Sequence, residues 1–177
     1  ANFLTTETVG GVNCYSEDWG RIYKRLSNHP NVINGDFSKF DKKISTLMML
    51  SACTVVWEVL KWAYLEHGEE MTKEAENSIR SIISDMCSPI LLVNRDIMRP
   101  AGSLSSGVLM TFFFNDIINS LYMRMAFYTL RTAYGPCTDE QLVEGYRKNV
   151  ELFTCGDDNT LSISDESKPY FNFMTIQ

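Results

Sequence analysis

Two adjacent aspartates, Asp157 and Asp158, lie in the stretch TCGDDNT at residues 154–160. Residues 150–154 are largely apolar or β-branched, and residues 160–164 alternate Leu and Ile with hydroxyl side chains, so the pattern predicts a β-hairpin with both acids at its tip. Like charges about 4 Å apart cost roughly 4 kcal/mol at an effective dielectric constant of 20, and a divalent cation reverses that cost. The tip is therefore a candidate Mg²⁺ or Mn²⁺ site. The alternative is an ordinary Gly-Asp turn.

A second pair of aspartates, Asp36 and Asp41, flanks the segment FSKF. Residues 31–36 predict a short strand that ends at Asp36. Both acids would face one cleft if the chain coils directly after that strand. The alternative for Asp41 is a helix N-cap before Lys42.

A polar strip is predicted on an otherwise apolar helix from Val108 to about Thr132. Thr111, Asn115 and Asn119 recur every four residues and therefore share one face of the helix. Because a buried amide without a partner costs about 1–3 kcal/mol, the strip is either a hydrogen-bond network in the core or a surface that faces a polar ligand. The small residues at 100–107 before the helix form a loop whose backbone allows a ligand to approach closely.

The remaining elements predict an α+β fold. Helices are expected near Ser16–Leu26, with Ser16 as the N-cap, near Ile44–His67 and near Thr72–Met86, and a second hairpin is expected around Asn94-Arg95. A short helix is expected behind the capping box Thr138–Gln141, and a further helix entry at Ser167-Lys168-Pro169. If the first strand pairs with the last hairpin in an antiparallel sheet, Asp36 comes to lie beside Asp157. Carboxylates on two neighbouring strands are the arrangement that holds two cations about 3.5–4 Å apart for phosphoryl transfer.

Composition limits the classes of protein that fit. The formal net charge of −6 disfavours nucleic-acid binding by general electrostatics. The five cysteines are odd in number and scattered, which predicts reduced thiols in a cytosolic setting. The apolar run at residues 108–114 is too short to span a bilayer, so no transmembrane segment is expected. We expect this chain to be an internal fragment of a longer polypeptide, because it begins with Ala and ends just as residues 170–176 begin a new element.

Three motifs in order resemble motifs A, B and C of viral RNA-dependent RNA polymerases: Asp36-x4-Asp41, Ser106-Gly107-x3-Thr111-x3-Asn115 and Gly156-Asp157-Asp158. The surrounding segments VGGVNCYSEDW, NGDFSKFD, SLSSGVLMTFFFNDIIN and CGDDN are most similar to the picorna-like viruses. The resemblance begins near Val9 and covers almost the whole chain. It implies a polymerase palm, a small antiparallel sheet with helices packed on one face, plus part of the fingers. Residues 1–30 would lead in from the fingers, and residues 31–177 would form the palm. Within the palm, motif A would lie at 36–41, motif B at 100–119 and motif C at 154–160. The thumb and most of the fingers would be absent.

The resemblance also implies roles for individual residues. Asp36 and Asp157 match the two principal metal ligands and Asp158 the auxiliary acid, while the carbonyl of Phe37 would complete the shell of two Mg²⁺ (or Mn²⁺) ions. The set that would bind the nucleotide and read its ribose 2′-OH comprises Asp41, Ser106, Gly107, Thr111 and Asn115. Hydrogen bonds to that hydroxyl are an effective way to reject a deoxynucleotide.

The implied function is template-directed nucleotidyl transfer in viral RNA replication. The implied partners are an RNA template, a primer or product strand, NTPs and the remainder of the viral polyprotein, in a host cytoplasmic replication complex that associates with membranes through other proteins. The basic fingers segment, the general-acid lysine and the thumb would lie outside this chain, so the fragment alone is expected to be inactive. Cys155 stands where Tyr is usual, which leaves the acids intact. The alternatives are a catalytically incompetent palm that binds metal or nucleotide, a reverse transcriptase palm, and a structural α+β domain with accidental matches.

Overall fold

The computed structural model describes residues 6–13, 15–100, 102, 104 and 110–176, and these form seven helices and five strands. The α+β prediction is confirmed. In chain order the elements are α1 (Asp18–Leu26), β1 (Asn31–Asp36), α2 (Phe40–Lys43), α3 (Thr46–Glu66), α4 (Lys73–Cys87), β2 (Leu91–Val93), β3 (Asp96–Met98), α5 (Thr111–Tyr134), α6 (Asp139–Asn149), β4 (Val150–Cys155), β5 (Asp158–Ile163) and α7 (Phe173–Ile176). The chain divides into a sheet unit, Ala1–Phe37 with Asn115–Gln177, and a helical unit, Ser38–Phe114. The predicted assignment of residues 1–30 and 31–177 to fingers and palm stays a prediction.

The sheet unit is built on three antiparallel strands in the order β1-β5-β4. The predicted pairing of the first strand with the last hairpin is therefore confirmed. The N-terminal segment extends the sheet on the far side of β4, where Thr8 pairs in parallel with Thr154. Two backbone hydrogen bonds hold it there, from Val9 N to the Thr154 carbonyl at 2.9 Å and from Thr154 N to the Glu7 carbonyl at 2.8 Å.

One face of this sheet forms the main core. Side chains alternate between the two faces of a strand, and the apolar positions of β4 and β5 other than Phe153 fall on the same face. Against them pack Met123 and Phe127 of α5 and Tyr146 of α6, with Phe127 and Tyr146 in edge-to-face contact at 5.3 Å between ring centroids. The strand residues of this core are Ile33, Val150, Leu152, Leu161 and Ile163. Each fully buried aliphatic side chain contributes about 1.5–3 kcal/mol, so this face anchors the strands that carry the acids.

Helix α1 lies over the opposite face of β4. Its Arg25 stacks on the Phe153 ring at 4.6 Å from the centroid and pairs with Glu151. The predicted N-cap of this helix, Ser16, is wrong by one position, since Glu17 occupies the N-cap without a side-chain cap. Ser16 Oγ instead accepts a hydrogen bond from the backbone N–H of Asp18 at 3.2 Å.

The helical unit contains α2, α3, α4 and the hairpin β2–β3. The side chains of Ser45 and Thr72 cap α3 and α4. The predicted second hairpin is confirmed, and its turn residues Asn94 and Arg95 have positive φ angles of 51° and 78°, as a two-residue hairpin turn requires. Asp41 lies inside α2, whose N-cap position is Lys39, so the N-cap interpretation of Asp41 is wrong.

Among the described residues, one helix, α3, is long and apolar enough to cross a membrane by length and composition. Its most apolar window has a mean hydropathy of 1.2 and is 22% buried. Core helices of soluble proteins pass the same test of length and composition. The absence of a transmembrane segment, which is expected from the short apolar run at residues 108–114, stays a prediction.

Candidate active site

Acidic residues meet at one end of the sheet. In the register of the strands, Asp36 at the end of β1 lies directly opposite Asp158 at the start of β5, and Asp158 lies opposite Cys155. Directly opposed residues project from the same face, with Cβ atoms about 4.5–5.5 Å apart. All three side chains are exposed, on the face of the sheet opposite the main core.

Asp157 occupies the two-residue turn between β4 and β5, and it too is exposed. The preceding residue, Gly156, has a φ of +67°, which glycine adopts without the steric cost of a Cβ. The predicted Gly-Asp-Asp hairpin is therefore confirmed. The residue directly across from Asp36 is Asp158, and Asp157 is its neighbour at the turn.

The chemistry of these donors fits a hard divalent cation, because Mg²⁺ prefers carboxylate oxygen ligands. Within the part of the chain that the structure describes, no group of three or more His, Cys, Asp or Glu side chains is arranged to hold a metal. Mg²⁺ in nucleotide enzymes is usually bound by one or two carboxylates together with substrate phosphates. Open carboxylates at strand ends suit a site of that kind. Phe37, whose carbonyl is the further predicted ligand, has its ring against Tyr122 at 5.7 Å between centroids.

A buried polar cluster on α5 holds the hairpin tip from the core side. The side-chain amide of Asn119, which is 0% exposed, donates hydrogen bonds to the carbonyls of Gly156, Asp157 and Asp158 at 3.1, 3.0 and 3.0 Å. The carboxylate of Asp116 accepts a hydrogen bond from the Gly156 N–H at 2.7 Å. The backbone of the turn is therefore bound to α5 through both its donors and its acceptors.

Asn159 extends this cluster to β1. Its Nδ2 donates to Asn119 Oδ1 at 3.1 Å, and its own Oδ1 lies 2.7 Å from the position that a Cβ on Gly35 would occupy. Gly35 pairs with Asn159 in the register, one residue before Asp36. A side chain at residue 35 would therefore displace the Asn159 amide, which fills that space.

Burial and negative charge raise pKa values around the tip. Asp116 is 4% exposed, and burial raises the pKa of its carboxyl, while hydrogen bonds from Thr8 and the Gly156 backbone partly oppose the rise. The pKa of the Cys155 thiol is raised by burial and then by the charges of Asp116, Asp158 and Asp157. The Cys155 thiol is therefore protonated at neutral pH.

The predicted ribose-reading residues are distributed over both units. In the sheet unit, Asn115 is half-buried, and its Oδ1 is buried without a hydrogen-bond partner among the described residues. In the helical unit, Asp41 is half-buried in α2, where its carbonyl accepts from Leu104 N at 2.9 Å, and Thr111 begins α5. Ser106 and Gly107 lie outside the described residues.

Sequence reasoning missed Asp116 and Asn159 altogether. It did single out Asn119 in the polar strip, and the structure assigns that residue to the core hydrogen-bond network. The available signal for Asp116 was a carboxylate inside the apolar run of α5, one position after Asn115.

Comparison with known proteins identifies the family of this chain. The family model described as viral RNA-dependent RNA polymerase matches residues 5–175, and the chain belongs to that family. It is similar to the replicase polyprotein of cricket paralysis virus, with 30% identity over 99% of this chain and 10% of the relative. It is also similar to the replicase polyprotein of acute bee paralysis virus, with 28% identity over 99% of this chain and 9% of the relative. The RNA1 polyprotein of cowpea mosaic virus is 29% identical over 92% of this chain and 8% of its own length. The chain thus spans about a tenth of the length of these curated relatives, and its likeness to picorna-like viruses is confirmed.

Proposed function

We propose that this chain is the catalytic palm of an RNA-directed RNA polymerase that copies a viral RNA genome. The observation that carries the proposal is the register of β1 and β5, in which Asp36 faces Asp158 at the open end of the sheet, next to Asp157 in the turn. Family membership supports the reaction class, since the relatives are named replicase and RNA1 polyproteins.

Asp36 and Asp157 are the proposed principal ligands of two Mg²⁺ (or Mn²⁺) ions, with Asp158 and the carbonyl of Phe37 beside them. Such a pair of ions stabilises both the attacking and the leaving oxygen of an in-line phosphoryl transfer. The chain supplies the charge that attracts the ions and the rigid strands that fix the separation of the carboxylates. Because the carboxylates of Asp36, Asp157 and Asp158 are exposed, the site has room for a nucleoside triphosphate and the end of a growing strand.

The ribose would be read by Asp41, Thr111 and Asn115, with Ser106 and Gly107 on the loop before α5. The supporting observation is the buried Oδ1 of Asn115, an acceptor without a hydrogen-bond partner among the described residues. A buried acceptor without a donor costs about 1–3 kcal/mol, and a hydroxyl donor from a bound sugar would remove that cost. A deoxynucleotide brings no such donor.

The partners that follow are an RNA template, a primer or product strand, NTPs and the remaining parts of the polymerase. The proposed location is the host cytoplasm, in a replication complex attached to membranes through other proteins. Residues 1–177 alone would not polymerise, because the grip on RNA and triphosphate would come from basic residues elsewhere in the complete polymerase.

Primer extension by the complete polymerase tests the proposal. Asp157→Asn keeps the shape of the side chain and removes its charge, so extension should be abolished while the protein remains folded. Asp165→Asn is the matched control, because Asp165 is also an exposed aspartate but lies just beyond the far end of β5. Wild-type extension by Asp157→Asn would remove Asp157 from the mechanism, whereas a complete polymerase that extends no primer at all would fit a catalytically incompetent palm.

A further inference from the structure

The hairpin tip carries the proposed metal ligands, and a buried residue of α5 holds its backbone from the core side. Asn119 is completely buried on α5, and its amide faces three consecutive backbone carbonyls of the tip. We infer that Asn119 is a positioning residue that fixes the backbone of the tip and thereby sets the affinity of its carboxylates for divalent cations. This inference rests on the proposed function, because it assumes that Asp157 and Asp158 bind the ions.

Both N–H groups of the Asn119 amide are used in hydrogen bonds to the tip. A side-chain amide has two N–H hydrogens, and here they serve three carbonyl oxygens, so at least one hydrogen is shared. Carbonyls only accept hydrogen bonds, which fixes the orientation of the Asn119 side chain. Three successive carbonyls can reach one nitrogen only if the chain curls around it. The Asn119 amide therefore selects one backbone conformation for residues 156–158.

The other end of the same side chain reaches the strand of the first acid. Asn119 Oδ1 accepts from Asn159, whose side-chain amide packs against Gly35 of β1. A change at Asn119 therefore acts on the turn that carries Asp157 and, through Asn159, on the strand that ends at Asp36. One buried amide therefore links the turn that carries Asp157 to the strand that carries Asp36.

A second anchor makes the tip a rigid part of α5. Asp116, about one turn before Asn119, accepts the Gly156 N–H at 2.7 Å, and its other oxygen accepts a hydrogen bond from Thr8. Asn115, one residue earlier and on the face of Asn119, is the proposed ribose reader. The helix thus joins the proposed sugar contact and the cation-binding tip in one element, so movement of one displaces the other.

Cation binding to the complete polymerase in the absence of substrate tests the inference directly. Mn²⁺ is the probe, and its free concentration is followed by electron paramagnetic resonance during titration. Asn119→Ala should raise the dissociation constant for Mn²⁺ about tenfold, a typical size for coupling between linked sites. Primer extension should show a matching rise in the Mg²⁺ concentration that gives half-maximal rate.

Asn149→Ala is the matched control. Asn149 is also a buried asparagine of the sheet unit, and its amide also donates to a backbone carbonyl, that of Gly145 at 2.8 Å, while its oxygen accepts from Ser164. It lies at the opposite end of β4 from the tip. Its loss should lower stability and leave the Mn²⁺ dissociation constant within about twofold of the wild type, because the two sites are separate.

The outcomes separate positioning from a general structural role. If Asn119→Ala and Asn149→Ala bind Mn²⁺ equally well, the inference is overturned. If Asn119→Ala does not fold, Asn119→Ser is measured instead. Serine keeps one hydroxyl donor for one carbonyl, so a smaller rise in the dissociation constant supports the inference and wild-type binding refutes it.

Asp157→Asn provides the reference. If that variant binds Mn²⁺ like the wild type, the proposed function fails, whereas if it loses Mn²⁺ and Asn119→Ala does not, only the inference fails.

Discussion

Gly35→Ala should loosen the strand that carries the first acid. A Cβ at this position would stand 2.7 Å from Asn159 Oδ1 and 3.3 Å from the Cγ of the same side chain. Nonbonded carbon atoms prefer about 3.5–4.0 Å, so the Asn159 side chain must move. That side chain is buried and hydrogen-bonded to Asn119 at 3.1 Å, which leaves it little freedom.

The magnitude follows from two opposing effects. Overpacking of this kind lowers the stability of the folded state by about 1–3 kcal/mol. Alanine also has less conformational entropy than glycine in the unfolded chain, which stabilises the folded state by about 0.4–1 kcal/mol. We expect a net loss of about 1–2 kcal/mol, which is a factor of roughly 5–30 in a local opening equilibrium. Gly20→Ala is the control, because a Cβ at Gly20 in α1 meets nothing within 4 Å. Alanine there should stabilise α1 by roughly 0.5–1 kcal/mol.

Amide hydrogen exchange, read by mass spectrometry on the complete polymerase, measures this local effect. Peptides that cover β1 and β5 should exchange about 5–30 times faster in Gly35→Ala than in the wild type. In Gly20→Ala the same peptides should exchange at the wild-type rate. Asn159→Ser makes room for the new methyl group, so adding Gly35→Ala to that variant should have little further effect. Unchanged exchange in Gly35→Ala would refute the packing of Asn159 against β1.

Three further predictions concern the sugar, the thiols and the isolated chain. Asp41→Ala should lower the NTP over dNTP preference of the complete polymerase by about tenfold to a hundredfold, from the loss of about 1.5–3 kcal/mol of hydrogen bonding to a carboxylate. Asn115→Ala removes a neutral acceptor, so the loss of about 0.5–1.5 kcal/mol should lower the preference by roughly twofold to tenfold. Single-nucleotide kinetics with wild-type preference in both variants would contradict both expectations. Cys53 is 2% exposed and burial raises its pKa to about 12, so peptide-resolved alkylation at pH 8 should leave it unmodified until the protein unfolds. The exposed Cys155 should react in the folded state, more slowly than a free thiol because its pKa is also raised. Residues 1–177 alone should give no template-dependent product in primer extension, and synthesis by this chain would disprove the dependence on other parts of the polymerase.

The parts of the fold that the sequence predicted are those with local signals. The Gly-Asp-Asp tip, the strand that ends at Asp36 and the capping box of α6 each depend on residues within a few positions of one another. The capping box is confirmed in full, with Thr138 Oγ1 accepting from Gln141 N and the Gln141 side chain accepting from Thr138 N. The same local reasoning was wrong for a helix entry at Ser167-Lys168-Pro169, where the chain makes successive turns before α7.

The parts that the sequence did not predict depend on distant pairings. Asn119 and the tip are separated by 37 to 39 residues, and nothing in the periodicity of α5 distinguishes a core amide from one that faces a ligand. The polar strip divides accordingly, since Asn119 is satisfied by the tip while the Oδ1 of Asn115 has no partner among the described residues. The position of Asp158 directly across from Asp36 is likewise a matter of register, which is set by the packing of the whole sheet.

The most direct test of the central claim is a structure of the complete polymerase bound to RNA, a non-hydrolysable NTP and Mn²⁺, with the ions located by anomalous scattering. We predict two Mn²⁺ ions about 3.5–4 Å apart, with carboxylate oxygens of both Asp36 and Asp157 bound to them. Ions bound elsewhere, or carboxylates of Asp36 and Asp157 on opposite faces of the sheet, would contradict the account.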